Sequence, residues 1–399
     1  MSKLSVRDAD LKNKKVLMRA DFNVPIDESG KITNDKRIQA AVPTIKHILA
    51  QTGASLVLMS HLGRPKGKPV ASMSLAPVAK RLSEILGVSV KFVADCVGPE
   101  VQKAAAALKG GEVLLLENLR FHPDEEKNDD AFAKQLASLG EVFVQDAFGT
   151  VHRAHASTVG ITKYVGIACS GLLVEKEIKF LGETMRNPAR PFVAIIGGAK
   201  VSDKIAILDN LTSKVDALVI GGAMAYTFLL NKKVGVGMSL VEKDKIATAG
   251  SIMEKALASK CRVLLPIDHI IARKIEKGAE HKNTDGVEIP DGWIGVDIGP
   301  SSVARLAPVI TGAKTILWNG PMGVFEIDEF ANGTVEVAKF VAAATENGAV
   351  SVVGGGDSVS AVKKAGLDKK ITHISTGGGA SLEYLEGKEL PGIAALKDK

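Results

Sequence analysis

The sequence is poor in several residue types, and each shortage excludes a class of protein. Aromatic residues make up 4% of the chain, with three Tyr and two Trp, which leaves few rings on which nucleic-acid bases could stack. No run of 18 uncharged apolar residues occurs, so we expect no membrane span, and the polar N-terminus does not resemble a secretory signal. Three widely spaced cysteines, Cys96, Cys169 and Cys261, fit a reduced, cytoplasmic chain better than a disulfide framework or a zinc site.

Length and charge indicate the general type of molecule. With 399 residues, of which 46% are hydrophobic, the chain is too long for one ordinary core and suggests two domains of about 200 residues each. The net charge is +6, and most of the basic excess falls in residues 1–170. The basic residues are not gathered in one run, so this charge suits an anionic small molecule better than a nucleic acid.

Short apolar runs alternate with segments of helical periodicity, such as Ala76–Leu86 and Thr334–Thr345. Most of the runs do not alternate polar and apolar residues, which is typical of strands covered by helices on both faces of a parallel sheet. We therefore predict an α/β fold with two Rossmann-like domains, each a mostly parallel β-sheet flanked by helices. The predicted strands are Val16–Arg19, Ser55–Met59, Val90–Val93, Val113–Leu116, Val142–Val144, Val193–Ile196, Ala217–Ile220, Val263–Pro266, Thr315–Trp318, Val350–Val353 and Thr372–Ser375.

A helix is predicted over Leu172–Met185, and Pro188 and Pro191 follow it closely. A helix that ends in prolines before a new strand is typical of an interdomain connector, although it could also lie inside one domain. We predict an N-terminal domain over residues 1–171, a connecting helix and hinge over 172–190, and a C-terminal domain over 191–380.

In the second half, four predicted strands end in glycine, in the strings AIIGGAK, LVIGGAM, SVVGGGDS and HISTGGGAS. Glycine at the carboxyl ends of parallel strands lets backbone N–H groups approach a phosphate closely, so the four together indicate a nucleotide site. The chain has no G-x-x-x-x-G-K-[ST], which excludes a P-loop enzyme. It also has no G-x-G-x-x-G after the first strand, which weakens a dinucleotide interpretation.

Two of these glycine strings also carry charged side chains. Asp357 follows three glycines at a predicted helix start, where it is either a helix N-cap or a ligand of magnesium beside nucleotide phosphates. Lys200 and Lys204 are four residues apart at a predicted helix opening, so they would face one side. They are either solvated surface lysines or, because like charges repel, the partners of an anion between them.

Strand ends in the first half carry basic and polar residues instead, in the strings RADFN, SHLGRP, ENLRFH and DAFGTVHRAH. Because the carboxyl ends of parallel strands meet at one edge, these arginines and histidines would surround a site for a phosphorylated carboxylate, which arginine binds in bidentate fashion. His152 and His155 suggest a metal, but no acidic or cysteine ligand is placed to complete such a site. We therefore favour the anion.

Eight strings together carry a family resemblance: RADFNVP, SHLGRP, ENLRFH, DAFGTVHRAHAS, IIGGAKVSDK, WNGPMGVFE, VVGGGDS and STGGGAS. In this order and spacing the whole chain resembles the phosphoglycerate kinases, including the bacterial ones. The resemblance implies a monomeric, cytoplasmic, hinge-bending enzyme of glycolysis that transfers a phosphoryl group reversibly from 1,3-bisphosphoglycerate to ADP, giving 3-phosphoglycerate and ATP, with Mg²⁺. It also implies that the C-terminal tail, about residues 381–399, packs on the N-terminal domain.

The resemblance also assigns residues. We predict that Arg37 and Lys200 stabilise the transferring phosphoryl group and that Asp357 holds the magnesium ion. The residues that would contact phosphoglycerate are Asp21, Asn23, Arg37, His61, Leu62, Gly63, Arg64, Arg120 and Arg153. Those that would bind the nucleotide are Gly198, Lys200, Lys204, Gly222, Asn319, Pro321, Gly323, Val324, Glu326, Gly354, Gly355, Gly356, Asp357 and Ser358.

Two other functions share part of this evidence. A nicotinamide-dependent dehydrogenase also has two α/β domains, but the missing dinucleotide fingerprint disfavours it. A non-catalytic anion-binding protein could have the same fold, and the intact Lys200, Lys204 and Asp357 argue against it.

Overall fold

The computed structural model describes residues 3–399, which divide into two compact units. Unit 1 extends to Lys179 and also contains Glu389–Lys399, whereas unit 2 is Phe180–Lys388. The division therefore falls inside the connecting segment predicted over residues 172–190. None of the helices in residues 3–399 combines the length and the apolar character that a membrane crossing requires.

The strands are short, and most of them are close to their predicted bounds. Those of unit 1 are β1 (Lys15–Arg19), β2 (Ser55–Met59), β3 (Val90–Val93), β4 (Val113–Leu116), β5 (Val142–Gln145) and β6 (Ile167–Ser170). Those of unit 2 are β7 (Phe192–Ile196), β8 (Ala217–Ile220), β9 (Arg262–Leu264), β10 (His269–Ala272), β11 (His281–Asn283), β12 (Ile294–Ile298), β13 (Thr315–Asn319), β14 (Val350–Gly354) and β15 (His373–Ile374).

Helices connect most of these strands. They are α1 (Lys36–Leu49), α2 (Ala76–Leu86), α3 (Pro99–Ala106), α4 (Pro123–Glu126), α5 (Asp130–Ala137), α6 (Leu172–Glu177), α7 (Thr184–Arg186), α8 (Ile205–Leu211), α9 (Met224–Asn231), α10 (Ile246–Ala258), α11 (Pro300–Thr311), α12 (Asn332–Glu346), α13 (Gly356–Lys364), α14 (Gly379–Leu385) and α15 (Pro391–Ala394). Short 3₁₀ segments lie at Ala71–Met73, Leu119–Phe121, Phe148–Thr150, Gly160–Lys163, Lys243–Lys245, Asp328–Phe330 and Asp368–Lys370.

Each unit is built on a six-stranded parallel sheet. The strand order is β3-β4-β2-β1-β5-β6 in unit 1 and β15-β14-β13-β7-β8-β9 in unit 2. A separate antiparallel sheet, β11-β10-β12, belongs to unit 2. In both large sheets the chain first adds strands on one side of its first strand, β1 or β7, and then crosses over and adds the remaining strands on the other side. The order reverses between β1 and β5 and between β7 and β13, and ligands of open α/β sheets bind outside the carboxyl ends of the strands at such points.

Successive residues of the central strand β1 point into two different hydrophobic cores. Val16 and Met18 pack in one buried cluster with Ile45, whereas Leu17 packs in another with Val57. All five side chains are fully buried, and each such burial stabilises the fold by about 1.5–3 kcal/mol relative to an exposed side chain. Helices therefore cover both faces of the sheet, which explains the continuous apolar runs. The predicted fold class, two parallel-sheet α/β domains with flanking helices, is confirmed.

The structure differs from the sequence prediction in three regions. Strands β6, β10, β11 and β12 were missed; β11, for example, reads His-Lys-Asn and is exposed, so it contains no apolar run. The helix predicted over Leu172–Met185 is not uniform, since a π-helical segment, Ile178–Glu183, lies between α6 and α7. Gly182 lies in this wider turn, and a Cβ there would overlap the Tyr384 hydroxyl.

Candidate functional site

In unit 1 the predicted residues follow the carboxyl ends of neighbouring parallel strands. Asp21 and Asn23 come after β1, His61 to Arg64 after β2, and Arg120 after β4. Arg153 lies in the longer connection between β5 and β6. The sheet therefore gathers residues that lie up to 132 positions apart in the sequence, from Asp21 to Arg153, at one edge.

The first group at this edge joins α1 to the ends of β1 and β2. Arg37, in the first turn of α1, donates through Nη1 to both carboxylate oxygens of Asp21, at 2.8 and 2.7 Å. The backbone N–H of Gly63 donates to Asn23 Oδ1 at 2.9 Å. Asp21 therefore orients Arg37 through one nitrogen, and the other guanidinium nitrogens remain for a ligand.

Three further arginines supply positive charge. Arg120 is 5% exposed and donates to the Gly63 carbonyl at 3.0 Å, while its Nε lies 3.2 Å from Glu126. Burial lowers the pKa of Arg120, and the charges of Arg153 and Arg64 lower it further, against the opposite effect of Glu126. Within residues 3–399, Arg64 and Arg153 form neither a hydrogen bond nor an ion pair through their side chains. Mutually repelling guanidinium groups of this kind favour a bound anion.

The sequence prediction did not include a buried network behind this surface. Arg19 is 1% exposed; it donates to Ser157 Oγ at 2.8 Å and to the Ala20 carbonyl at 2.6 Å. Ser157 in turn donates to the fully buried carboxylate of Glu125 through its hydroxyl at 2.5 Å and its backbone N–H at 3.0 Å. The string RADFN contained Arg19, but nothing local to it indicates burial, because its partners are 106 and 138 residues away.

This network fixes the state of His61. Arg19 Nη2 lies 3.2 Å from His61 Nδ1, and because a guanidinium only donates, Nδ1 must accept. Burial, followed by the charges of Arg19 and Arg120, lowers the pKa of His61 well below its usual value. His61 is therefore neutral at pH 7 with its proton on Nε2, and it can offer that N–H to a ligand.

In unit 2 the predicted residues lie at the carboxyl ends of β7, β8, β13 and β14. Gly197 N–H donates to the Asn319 carbonyl at 2.9 Å, which joins the ends of β7 and β13 where the strand order reverses. The buried Asn319 side chain donates to the Gly354 carbonyl at 2.9 Å and accepts from Lys204 Nζ. Burial lowers the pKa of Lys204. Lys204, Asn319 and Gly354 are therefore one connected group.

Glycine is required at this edge because the backbones approach closely. Gly222 has φ +67°, and a Cβ there would lie 2.5 Å from the Gly198 carbonyl oxygen. Gly355 has φ +88°, and its Cβ would lie 2.9 Å from Asn319 Nδ2. Both positions combine a left-handed conformation with a close neighbour, so a side chain would move the Lys204 and Asn319 group or the turn around Gly198.

The helix openings differ from the sequence predictions. Helix α13 begins at Gly356 with Gly355 as its N-cap, so Asp357 lies inside the first turn, and the N-cap interpretation is wrong. The buried Ser358 accepts a hydrogen bond from Gly320 N–H at 2.5 Å. Lys200 is not on a helix, because α8 begins only at Ile205, and Ser202 is held outside the helix by bonds from its N–H and hydroxyl to Glu242.

Asp357 suits a magnesium ion by its chemistry and position. Its side chain is exposed and has no hydrogen bond or ion pair to another residue of the described chain. It lies in the first turn of α13, beside the glycines that would receive phosphates. Mg²⁺ in nucleotide sites usually takes one or two carboxylates together with phosphate oxygens, and a free carboxylate here fits that donor set.

The remaining predicted residues lie in the loop after β13. Pro321, Gly323 and Val324 are half-buried, and Val324 N–H donates to the Val296 carbonyl at 2.8 Å. Glu326 is exposed. This loop continues from Asn319 and Gly320, but among residues 3–399 it makes no hydrogen bond to the side chains of Lys204 or Asp357, so its part in nucleotide binding stays a prediction.

Two adjacent glycines provide a test of the close packing at β14. We expect Gly355→Ala to lower the free energy of unfolding by about 1–3 kcal/mol, because its φ of +88° and its contact with Asn319 both oppose a side chain. In Gly356→Ala the new Cβ meets nothing within 4 Å at a helical position, so stability should be unchanged or slightly higher. Thermal unfolding of the two variants measures this. Equal melting temperatures would contradict the close approach at Gly355.

The buried Asp146 at the end of β5 provides a test by pH. Burial raises its pKa to about 7, although Leu173 N–H donates to Oδ1 at 2.9 Å. The folded protein therefore retains a proton that the unfolded chain loses above about pH 4, so this group's stabilising effect is lost as pH rises from about 4 to 7. Asp146→Asn should gain a few kcal/mol of stability relative to the unmodified chain over that interval. Urea unfolding at pH 4.5, 6 and 7.5 measures the difference, and a difference independent of pH would contradict it.

Known proteins of one family resemble this chain in both sequence and fold. The family model described as phosphoglycerate kinase matches residues 6–388. Phosphoglycerate kinases of Chlorobium limicola and Prosthecochloris aestuarii are 58% and 57% identical, with 100% of both chains covered in each case. The solved structure of phosphoglycerate kinase from Coxiella burnetii matches with a TM-score of 0.91 and 41% identity, over 98% of each chain. Likeness of this extent in both sequence and fold leaves no room for the dehydrogenase alternative, and this chain belongs to the phosphoglycerate kinase family.

Proposed function

We propose that this chain catalyses the reversible, Mg²⁺-dependent transfer of a phosphoryl group from 1,3-bisphosphoglycerate to ADP, a step of glycolysis that yields 3-phosphoglycerate and ATP. The phosphoglycerate binds to unit 1 and the nucleotide to unit 2. The observation that carries the first assignment is the group of arginines at the edge of the unit 1 sheet, two of which have no partner within residues 3–399.

The unit 1 residues divide into two kinds. Arg64, Arg120 and Arg153 carry permanent charges and bind the phosphate of 3-phosphoglycerate, since guanidinium groups match phosphate geometry. Asp21, Asn23, His61, Leu62 and Gly63 shape the rest of the site, and His61 donates from Nε2. Because His61 is neutral, its bond to substrate is an ordinary one that does not change across pH 6–8.

The chemistry requires no general base in this site. A carboxylic acid with a pKa of about 4 is fully ionised at pH 7, so the carboxylate of 3-phosphoglycerate is already a nucleophile. Phosphoryl transfer then depends mainly on positioning and on stabilising the charge of the transferring group. Arg37 and Lys200 supply that charge, which fits the free nitrogens of Arg37 and the exposed ammonium of Lys200.

The unit 2 residues bind the nucleotide. Gly198 and the turn through Gly355 and Gly356 let phosphates approach the backbone. Gly222 and Gly354 support them, because Gly222 N–H donates to the Met322 carbonyl and the Gly354 carbonyl accepts from Asn319. Lys204 and Ser358 hold the turn in place through Asn319 and Gly320. Asp357 holds the magnesium ion. When bound, Mg²⁺ neutralises the negative charge of the phosphates and orients them.

Turnover with a chemical trap tests this function. The protein is incubated with Mg²⁺, ATP, 3-phosphoglycerate and hydroxylamine, which converts the acyl phosphate product into a hydroxamate. Hydroxamate is expected only when all components are present. Glycerate, which lacks the phosphate, serves as the matched substrate and should give at most a trace, because the arginines of unit 1 then have no anion to hold. Equal product from glycerate would refute the phosphate assignment, and no product from folded protein would refute the reaction.

We also propose that the enzyme is monomeric and acts in the cytoplasm. Cys96, Cys169 and Cys261 are buried and free, which fits a reducing compartment. Sedimentation velocity at several protein concentrations measures the first of these proposals, and a species of twice the chain mass of 41.9 kDa would contradict it.

A further inference from the structure

A second group of metal-binding side chains lies beside the anion site of unit 1, in two neighbouring loops. Asp95 and Cys96 follow β3, and His122 follows the 3₁₀ segment that comes after β4. Strands β3 and β4 pair in parallel, so their carboxyl ends bring the two loops together. The sequence offered no zinc motif because the ligands come from positions 26 residues apart.

The three donor atoms are close enough to share one ion. One carboxylate oxygen, the Cys96 sulfur and one imidazole nitrogen all lie within 4.8 Å of one another. His122 Nε2 is 2.7 Å from Asp95 Oδ1, which also accepts from Cys96 N–H at 2.6 Å. Around a tetrahedral zinc with bonds of about 2.0–2.3 Å, neighbouring donors are roughly 3.3–3.7 Å apart, so shifts of about 1 Å complete the site.

The three side chains differ in how far they are exposed to solvent. Cys96 is 0% exposed, whereas the side chains of His122 and Asp95 are 30% and 52% exposed. An ion therefore enters between the carboxylate and the imidazole and meets the sulfur as the innermost ligand. Within residues 3–399, no other group of three such side chains approaches this closely.

The charge around the sulfur also favours a cation. The negative charges of Asp95, Glu125 and Glu117 act on the Cys96 side chain. Carboxylates in these positions attract a divalent cation. Metal binding would replace the thiol proton, which is released to solvent, and no oxidation is involved.

We propose that Asp95, Cys96 and His122 form a binding site for a borderline-soft divalent cation of the zinc type, with water as the fourth ligand. Thiolate and imidazole donors select such ions over magnesium, which prefers oxygen ligands. The site is distinct from Asp357, which offers no sulfur or nitrogen donor. The competing interpretation is that His122 and Asp95 form only an ion pair between the two loops.

Cobalt absorption distinguishes the two interpretations. Co²⁺ added to the full-length protein should produce a sulfur-to-cobalt charge-transfer band in the near ultraviolet, which Zn²⁺ removes by competition. Asp357 gives no such band even if it also binds Co²⁺. Cys96→Ser should abolish the band, and His122→Gln should weaken Co²⁺ and Zn²⁺ binding at least tenfold. Cys169→Ser and Cys261→Ser are matched controls, because both replace a buried free thiol that has no such ligand group around it, and both should retain the band.

Loss of the band is informative only if the variant is folded, so circular dichroism is used to check the fold in each titration. If Cys96→Ser fails to fold, Asp95→Asn and His122→Gln, which change partly exposed side chains, carry the test. Release of about one proton per Zn²⁺ by the unmodified chain, measured with a pH indicator, supports the thiolate ligand. Absence of the band in the unmodified protein at millimolar Co²⁺, or its persistence in folded Cys96→Ser, would overturn the proposal.

Discussion

Lys200→Ala is expected to lower kcat by about 10²–10³-fold while the KM values for ATP and 3-phosphoglycerate change by only a few-fold. Lys200 is exposed just after Gly197 and Gly198, at the carboxyl edge of β7, and no other residue of 3–399 pairs with its side chain. A cation in that position acts on the phosphoryl oxygens, whose charge is redistributed as the group transfers. Steady-state kinetics in both directions measures the effect.

Two further variants separate this role from a general loss of charge. Lys232 is also exposed in unit 2, but it follows the C-terminal end of α9, the end remote from the strand ends, so Lys232→Ala should keep full turnover. Lys204→Met should behave differently again, because Lys204 is hydrogen-bonded to Asn319 and its loss disturbs the turn at Gly354. We expect that variant to raise the KM for nucleotide more than it lowers kcat. Turnover of Lys200→Ala within about threefold of the unmodified enzyme would exclude the role of Lys200.

The parallel sheets were the most predictable part of the structure, for a physical reason. A strand buried on both faces is apolar at nearly every position, so β2, β4 and β8 could be bounded from composition alone, and the structure gives them those bounds. The small antiparallel sheet has no such signature. Its strand β11 is polar and exposed, and β10 pairs with it only through tertiary contact.

The positions of the candidate site residues at the strand ends could be predicted from the sequence, but their side-chain contacts could not. Residues that follow a strand on the shared edge, such as Asp21, Arg64 and Asp357, could be placed because parallel strands bring their carboxyl ends together. The helix expected at Lys200 did not form, because Ser202 bonds to Glu242, 40 residues away. The burial of Arg19 was also hidden, since a basic residue at a strand end is normally exposed.

Arg19→Met is expected to cost about 3–5 kcal/mol of folding free energy, the largest stability loss among these predictions. Among the charged groups that act on the fully buried Glu125, Arg19 has the largest favourable effect, and Ser157 links the two side chains by hydrogen bonds. Burial raises the pKa of Glu125, and the charge of Arg19 is the largest effect that opposes this rise. Without Arg19, the carboxylate must either remain charged without a counterion or take up a proton, and His61 Nδ1 and the Ala20 carbonyl lose a donor.

A double-mutant cycle shows how much of this loss belongs to the charge. Glu125→Gln removes the opposite charge, and the double variant Arg19→Met with Glu125→Gln contains neither ion of this pair. The stability loss of the double variant should therefore be smaller than the sum of the two single losses, by roughly 1–3 kcal/mol. Lys14→Met, which breaks an exposed ion pair with Glu141 in the same unit, is the control and should leave the unfolding midpoint nearly unchanged. Trp293 and Trp318 both lie in unit 2, so urea unfolding of unit 1 is followed by far-ultraviolet circular dichroism rather than by tryptophan emission. Strictly additive losses would mean that Arg19 stabilises the fold by packing and hydrogen bonding alone, and that Glu125 is already protonated in the native enzyme.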